Sequence, residues 1–234
     1  MISNITYSNF TTKFNIFDHD DLISTTINST GTFYEEPFLT WVKNNYPTHD
    51  KILDIGANIG NHSVFFSNIL TNNEVYSFEP VPVNLHLLKQ NVSGMNVKVL
   101  DVALSDVEGT AEIYNSQPHN FGGFTLEAAK FPGHTPIITG YTARTITLDS
   151  LNLDGVTMIK IDVENHESNV LKGAKETIIR NKPIIFIENL NHGHPNVCPP
   201  NKFDSFFDSI GYTLKESNIL GGFMDLWVSK EVTN

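Results

Sequence analysis

Between residues 51 and 187, short unbroken apolar runs alternate with segments whose apolar residues recur at helical spacing. This alternation constrains the fold more than any other feature of the chain. Lys51–Ile55 (KILDI) reads as a buried strand ending at Gly56, and residues 61–70 place Val64, Phe65, Ile69 and Leu70 on one helical face. Glu74–Phe78 predicts a second strand, Val83–Asn91 a helix carrying Leu85, Leu87 and Leu88, and Val97–Val102 a third strand. Thr110–Tyr114 and Thr145–Leu148 alternate in the manner of hairpin or insert strands. Thr157–Val163 predicts a fourth strand, residues 168–181 a helix with Val170, Leu171, Ala174 and Ile178 inward, and Pro183–Ile187 a fifth strand with proline at its first position. Phe203–Ile210 reads as an amphipathic helix capped by Gly211, and Tyr212–Lys215 and Met224–Ser229 as late strands. Continuous apolar strands separated by helices require a mostly parallel sheet covered on both faces, so the predicted class is α/β, doubly wound.

One helix, Tyr34–Tyr46, precedes this pattern. The chain is therefore expected to divide into an N-terminal extension with one helix, residues 1–48, and a domain over 49–234. Residues 115–143, with Gly122, Gly123, Gly133, Gly140 and three prolines, read as a long loop of the lid or binding type. Met1–Asp21 lacks a charged start followed by an apolar core and is not expected to be a signal peptide. The apolar runs fall far short of the ~20 residues a membrane span requires, and the Asn-x-Ser/Thr triplets at Asn4, Asn9, Asn28 and Asn91 are read as accidents of Asn richness. Lys+Arg 15 against Asp+Glu 26 gives a net charge of -11, which disfavours DNA or an anionic membrane as the main partner. The single cysteine, Cys198, excludes an internal disulfide and any CxxC site, and is read as incidental. A cytoplasmic location fits; the oligomeric state is open.

The strongest local signal is Asp54-Ile55-Gly56-Ala57-Asn58-Ile59-Gly60. A strand delivers Asp54 to its carboxyl end, Gly56 allows a tight turn and Gly60 a close helix approach, in the crevice where doubly wound sheets bind ligands. The spacing is not the G-x-G-x-x-G that cradles a pyrophosphate, which argues against a dehydrogenase. Glu79, just after the second strand and held by Pro80 and Pro82, is placed to accept both hydroxyls of a ribose. Asp54, Gly56 and Glu79 together describe an adenosine pocket without a diphosphate site, and S-adenosylmethionine is the common cofactor of that description.

DIGANIG (54–60), FEPVPVN (78–84), VALSD (102–106), TLDSL (147–151) and IKIDVENHESNVLKGA (159–174) resemble, in order and spacing, FkbM-type S-adenosylmethionine-dependent methyltransferases. The resemblance implies a Rossmann-like class I methyltransferase fold: a seven-stranded, mostly parallel sheet with helices on both faces and its last strand antiparallel. It also implies methylation of hydroxyl oxygens on sugars, glycans or secondary metabolites. By the same resemblance Asp54, Gly56, Asn58 and Gly60 line the methionine and ribose part, Glu79 binds the ribose, and Asp101 to Ala103 border the adenine. The chain departs from the family's usual IDVEGAE: Asn165 stands for a glycine and His166 for a small residue. Asn tolerates a left-handed backbone, so the turn survives.

Strand alternation sends Lys160, Asp162 and Glu164 to one side. Lys160 is expected to pair with an acid, while Asp162, Glu164 and His166 reach the cleft where a hydroxyl proton must be taken. Glu167 reads as a first-turn acid favoured by its helix dipole. Glu188-Asn189, ending the fifth strand, completes the candidate catalytic set (Asp162, Glu164, His166, Glu188). With an acid of the fourth strand it resembles the Mg²⁺ site of catechol-type O-methyltransferases, though a metal-free role for Glu188 is the preferred reading. His192 and His194 could line the same mouth, the segment 121–125 (FGGFT) could lie over cofactor or substrate, and residues 33–36 could close the pocket. The expected acceptor is a small molecule or glycan. The alternatives are an RNA ribose or protein side chain, or a non-catalytic adenosine-binding module.

Overall fold

The computed structural model describes residues 1–18, 21–71, 73–115, 121–128, 137–189 and 201–231. In chain order its elements are β1 (Ile2–Tyr7), β2 (Phe10–Asn15), α1 (Leu22–Thr30), α2 (Glu36–Asn45), β3 (Lys51–Ile55), α3 (Asn61–Ile69), β4 (Glu74–Phe78), α4 (Pro82–Asn91), β5 (Val97–Leu100), β6 (Ala103–Leu104), β7 (Gly109–Asn115), β8 (Phe124–Thr125), β9 (Ile137–Ile146), β10 (Val156–Ile161), α5 (Glu167–Lys172), α6 (Lys175–Asn181), β11 (Ile184–Glu188), α7 (Asp204–Ser209), β12 (Tyr212–Glu216) and β13 (Met224–Ser229). Seven strands form the main sheet in the order β12-β13-β11-β10-β3-β4-β5. β13, the last strand, runs antiparallel to both neighbours, while β11, β10, β3, β4 and β5 pair in parallel.

The chain runs from β3 outward to β5, then returns to the middle and runs outward the other way from β10. The reversal makes the β3/β10 boundary the topological switch point, where a crevice opens at the strands' carboxyl ends. Both faces are buried, as the continuous apolar strands required. Ile52, Met158, Phe186 and Leu226 join one core with the N-terminal elements, α3 and α4, while Leu53, Ile55, Ile159, Ile161, Ile185 and Trp227 join the other. Among the described residues, no helix is long and apolar enough to cross a membrane.

Four expectations need correction. The N-terminal segment holds a β-hairpin and two helices rather than one helix. Ile5, Phe14 and Ile27 are fully buried in the same core as Ile52 and Phe65, and Asn91 on α4 exchanges hydrogen bonds with Asn15. The third strand stops at Leu100; Ala103–Leu104 then pairs with β9 in a second sheet of order β6-β9-β7-β8. The long loop read over 115–143 shrinks, because β9 begins at Ile137 and pairs antiparallel with β7. Finally, the single helix over 168–181 is two, α5 and α6, joined at Gly173-Ala174. A Cβ on Gly173 would lie 2.0 Å from the Ser105 carbonyl oxygen, so the chain passes there against the backbone that follows β6.

Candidate active site

The turn after β3 is built around two positive-φ glycines and one asparagine. Gly56 (φ 78) has its amide bonded to the Phe78 carbonyl, and a Cβ there would sit 1.8 Å from the Asp162 carbonyl oxygen. No other residue fits so close an approach of β3 to β10. Gly60 (φ 92) receives Leu88 of α4, whose Cδ1 would be 2.8 Å from an added Cβ. Between them Asn58 (φ 51) donates its backbone amide to Glu79 Oε2 at 2.8 Å. Glu79 Oε1 accepts from the Val81 amide, also at 2.8 Å. The carboxylate is thereby clamped by two backbone donors, while burial, only partly countered by those bonds and by Lys160, pushes its pKa up to about 7.

Beneath this turn lies a buried polar bed. Asp54, fully buried, accepts from Ser63 Oγ at 2.5 Å and faces Lys160 Nζ at 3.4 Å. Lys160 also meets Asp162 Oδ2 at 3.3 Å and donates to the Gly56 carbonyl at 3.0 Å. Burial pulls the ammonium's pKa down, but Asp162, Asp54 and Glu35 more than offset it, and the lysine stays charged. This ion cluster ties β3 to β10 across the switch point.

A cavity of about 230 Å³ opens above it. One end is lined by Gly56–Ile59, Glu79–Val81, Asn84 and Val102–Leu104, with Phe124 and Leu126 from the second sheet's side. The other end gathers Tyr34, Glu35, His62, Asp162, Glu164 and Glu188, with Phe223 bonded through its carbonyl to the Asn189 amide; Leu22 and Ile23 also stand on the wall. Carboxylate oxygens of Asp162, Glu164 and Glu188 lie within 4.8 Å of one another. Three carboxylates so close can accept from a polyhydroxyl ligand or ligate a hard cation such as Mg²⁺. Burial would raise the Glu35 pKa, but His62, with Nε2 3.3 Å from Glu35 Oε2, and Lys160 hold it below the usual range. The Tyr34 phenol is pushed well up, first by burial and then by Glu35, Asp162, Glu188 and Glu164, so it remains a hydrogen-bond donor.

The β10–α5 turn holds Glu164 (φ 57) and Asn165 (φ 74) in the left-handed region, as the exchange of glycine for asparagine allows. His166 lies on the cavity wall, yet both ring nitrogens are engaged: Nδ1 lies 2.7 Å from Glu127 Oε1 and Nε2 3.0 Å from Ser105 Oγ. The Ser–His–Glu spacing is that of a hydrolytic triad, but Ser105 is buried and is not among the cavity's residues. The histidine instead braces residues 121–127 over the site. That segment is fixed elsewhere by Thr125 Oγ1 donating to the Glu164 carbonyl (2.7 Å) and by Asn58 and Asn84 both donating to the Phe121 carbonyl. The Phe121 amide donates to Asp21 Oδ1, and its ring packs 4.5 Å from that of Phe17.

Residues 54–214, well over half of the chain, match the methyltransferase FkbM domain family. The chain belongs to that family. The 2-O-methyltransferase NoeI of Sinorhizobium fredii is 25% identical over 148 residues, 56% of this chain and 60% of that protein. A solved methyltransferase FkbM from Methylobacillus flagellatus KT superposes on 77% of this chain and 44% of its own, with a TM-score of 0.49 and 17% identity. The chain thus spans less than two thirds of either protein. A TehB-like SAM-dependent methyltransferase from Corynebacterium glutamicum ATCC 13032 Kitasato, at 12% identity, TM-score 0.50 and 88% and 93% coverage of the two chains, shares the fold.

Of the residues the FkbM resemblance put at the cofactor, Gly56, Asn58, Glu79 and Ala103 line the cavity. Asp54 lies in the bed below, Gly60 faces α4, and Asp101 is exposed where β5 ends. Asp162, Glu164 and Glu188 come together at the cavity, and His166 lines it with both ring nitrogens bonded. Glu167 is buried and accepts from Lys202 and the Asn165 amide. His192, His194 and Cys198 lie outside the described residues. Leu22, Ile23, His62, Asn84 and Phe223 went unread. Asn84 ends the FkbM-like FEPVPVN string and His62 follows the glycine turn, so those two had a local signal; Leu22, Ile23 and Phe223 arrive from distant parts of the chain and had none.

Proposed function

We propose that this FkbM-family chain is an S-adenosylmethionine-dependent O-methyltransferase acting on a hydroxyl of a sugar, a glycan or a similar polyhydroxylated metabolite. One observation carries the reading: the Glu79 cradle and the Asp162–Glu164–Glu188 carboxylates share one cavity at the switch point. The residues fit the cofactor. Glu79, clamped by two amides, keeps lone pairs for ribose hydroxyls, and the Gly56 turn gives a backbone surface without phosphate-binding character. When bound, the cofactor supplies an electrophilic methyl group on a sulfonium.

The chain's own residues then have three tasks. Asp162 is held by Lys160, and Glu164 and Glu188, whose carboxylates lie within 4.8 Å of it and of each other, receive the acceptor hydroxyl and take its proton. Tyr34 and the apolar Phe223 seat the acceptor's less polar face. The 121–127 segment, braced by His166, covers the site. The basic side chains among the cavity's described residues are Lys160, paired with two carboxylates, and the imidazoles of His62 and His166, a poor match for RNA phosphates. NoeI, named as a 2-O-methyltransferase, supports oxygen as the methylated atom.

Calorimetric titration with S-adenosylhomocysteine, with and without Mg²⁺, tests the cofactor, and mass detection of methylated sugars tests the acceptor class. Micromolar binding is expected. Glu164→Gln should spare that binding and lower turnover by roughly 100-fold. Absence of binding in both conditions would overturn the enzyme in favour of a non-catalytic module. Methylation of RNA or protein without any sugar product would overturn the acceptor class.

A further inference from the structure

Asn84 stands in the first turn of α4 and is only 2% exposed, on the cofactor end of the cavity. One half of its amide is committed, since Nδ2 donates to the Phe121 carbonyl at 3.0 Å, an oxygen that Asn58 Nδ2 also reaches at 3.1 Å. A carbonyl can only accept, so this bond fixes which end of the amide is the NH2. The other end, Oδ1, is buried and has no hydrogen-bond partner among the described residues. Native proteins seldom keep a buried acceptor unmatched, and one on the wall of a binding cavity points to a ligand donor.

The placement indicates which donor. Leu88, one turn further along the same face of α4, packs on Gly60, so that face looks at the 56–60 turn. The same turn holds Glu79 through the Asn58 amide. Around it, among the described residues, stand two acceptors, the Glu79 carboxylate and Asn84 Oδ1, while the nearby Lys160 is paired with Asp54 and Asp162, an arrangement that suits a ligand with two adjacent hydroxyl donors.

We infer that Asn84 is a cofactor-specificity residue whose Oδ1 accepts a hydrogen bond from a ribose hydroxyl, sharing the vicinal diol with Glu79. The inference rests on the S-adenosylmethionine reading above. It also makes one amide do two things, since the group that reads the ribose is the group that holds Phe121 over it.

A ligand-by-mutant cycle on the full chain tests this. Binding of S-adenosylhomocysteine, its 2′-deoxy and 3′-deoxy forms, and the form with inosine in place of adenosine is measured by calorimetry on wild type and on Asn84→Ala. Asn84→Ala should weaken S-adenosylhomocysteine about tenfold. One deoxy form should lose about tenfold on wild type beyond what it loses on the variant, which is the coupling of hydroxyl to amide. If all four ligands weaken in equal proportion, Asn84 only holds the fold and the inference fails. Coupling to the inosine form alone would move the contact to the base and also overturn it. Should Asn84→Ala not fold, Asn84→Asp, which keeps an acceptor oxygen, must retain the deoxy discrimination. Failure of wild type to bind any of the four would instead sink the cofactor reading itself.

Discussion

Glu79 is a carboxylic acid kept away from water, with a pKa near 7 instead of the ordinary 4.5, chiefly because burial penalises its charge. Its folded-state pKa lies above the unfolded one, so the folded chain binds the proton more tightly. Glu79 therefore opposes folding fully above about pH 7, and that opposition fades as the pH falls toward 4.5, the reverse of an ion-paired acid. Ribose hydroxyls need the ionised form. Affinity for S-adenosylhomocysteine should accordingly fall as the pH drops below about 7, by at most about tenfold per pH unit. Glu79→Gln should bind weakly with a flat profile, and a flat wild-type profile between about pH 8 and 5.5 would refute the assignment. Asp54 and Glu79 look alike in sequence, each an acid at the end of an apolar strand. What separates them is long-range: Ser63, itself bonded to Ser77, and Lys160 converge on Asp54 and draw it into the bed, while Glu79 meets two backbone amides at the cavity. That difference was not legible before folding, although the pairing of Lys160 with an acid was.

At the scale of elements, the strands and helices with strong periodicity were legible, and the misses share a cause. α5 and α6 carry one continuous helical pattern, yet Gly173 must press against Ser105, the residue that follows β6 of the second sheet. β9 begins amid the glycines and prolines that made 115–143 read as loop, and it exists because β7 offers it a pairing edge. The segment ending in β8 gains its order the same way, through bonds to residues far along the chain. Among these, Thr125 is buried and its hydroxyl grips the carbonyl of Glu164, itself in a left-handed conformation that costs energy for a non-glycine residue. Thr125→Val keeps the shape and deletes this bond together with the one the hydroxyl accepts from the Glu127 amide. It should leave S-adenosylhomocysteine affinity within about twofold while lowering kcat roughly tenfold, because it loosens the turn that carries Glu164 and not the Glu79 cradle. An equal loss in both quantities would show that the segment serves the cofactor alone.

For the whole molecule, the doubly wound sheet was legible because buried parallel strands leave continuous apolar runs and their crossovers leave helical ones. The hairpin and α1 were not, because their residues are short, polar or β-branched and make sense only against the sheet they cover. Residues 1–48 are nonetheless joined to the rest by more than a linker. Phe14 is fully buried in one core with Ile52, Phe65 and Leu88; Asn15 is bonded to Asn91; and Leu22 and Ile23 stand on the cavity wall. If that packing governs stability, the extension and the sheet melt together. Phe14→Ala, which empties a large buried site, should cost about 3–5 kcal/mol and lower a single thermal transition by roughly 10 °C for a chain of this size. Because Leu22, Ile23 and Asp21 reach the site through the same segment, S-adenosylhomocysteine should raise the midpoint of the variant as well as that of wild type. Two separated transitions in calorimetry, with the larger one unmoved by Phe14→Ala, would mean instead that the extension folds on its own and that the cavity wall it contributes can open without unfolding the sheet.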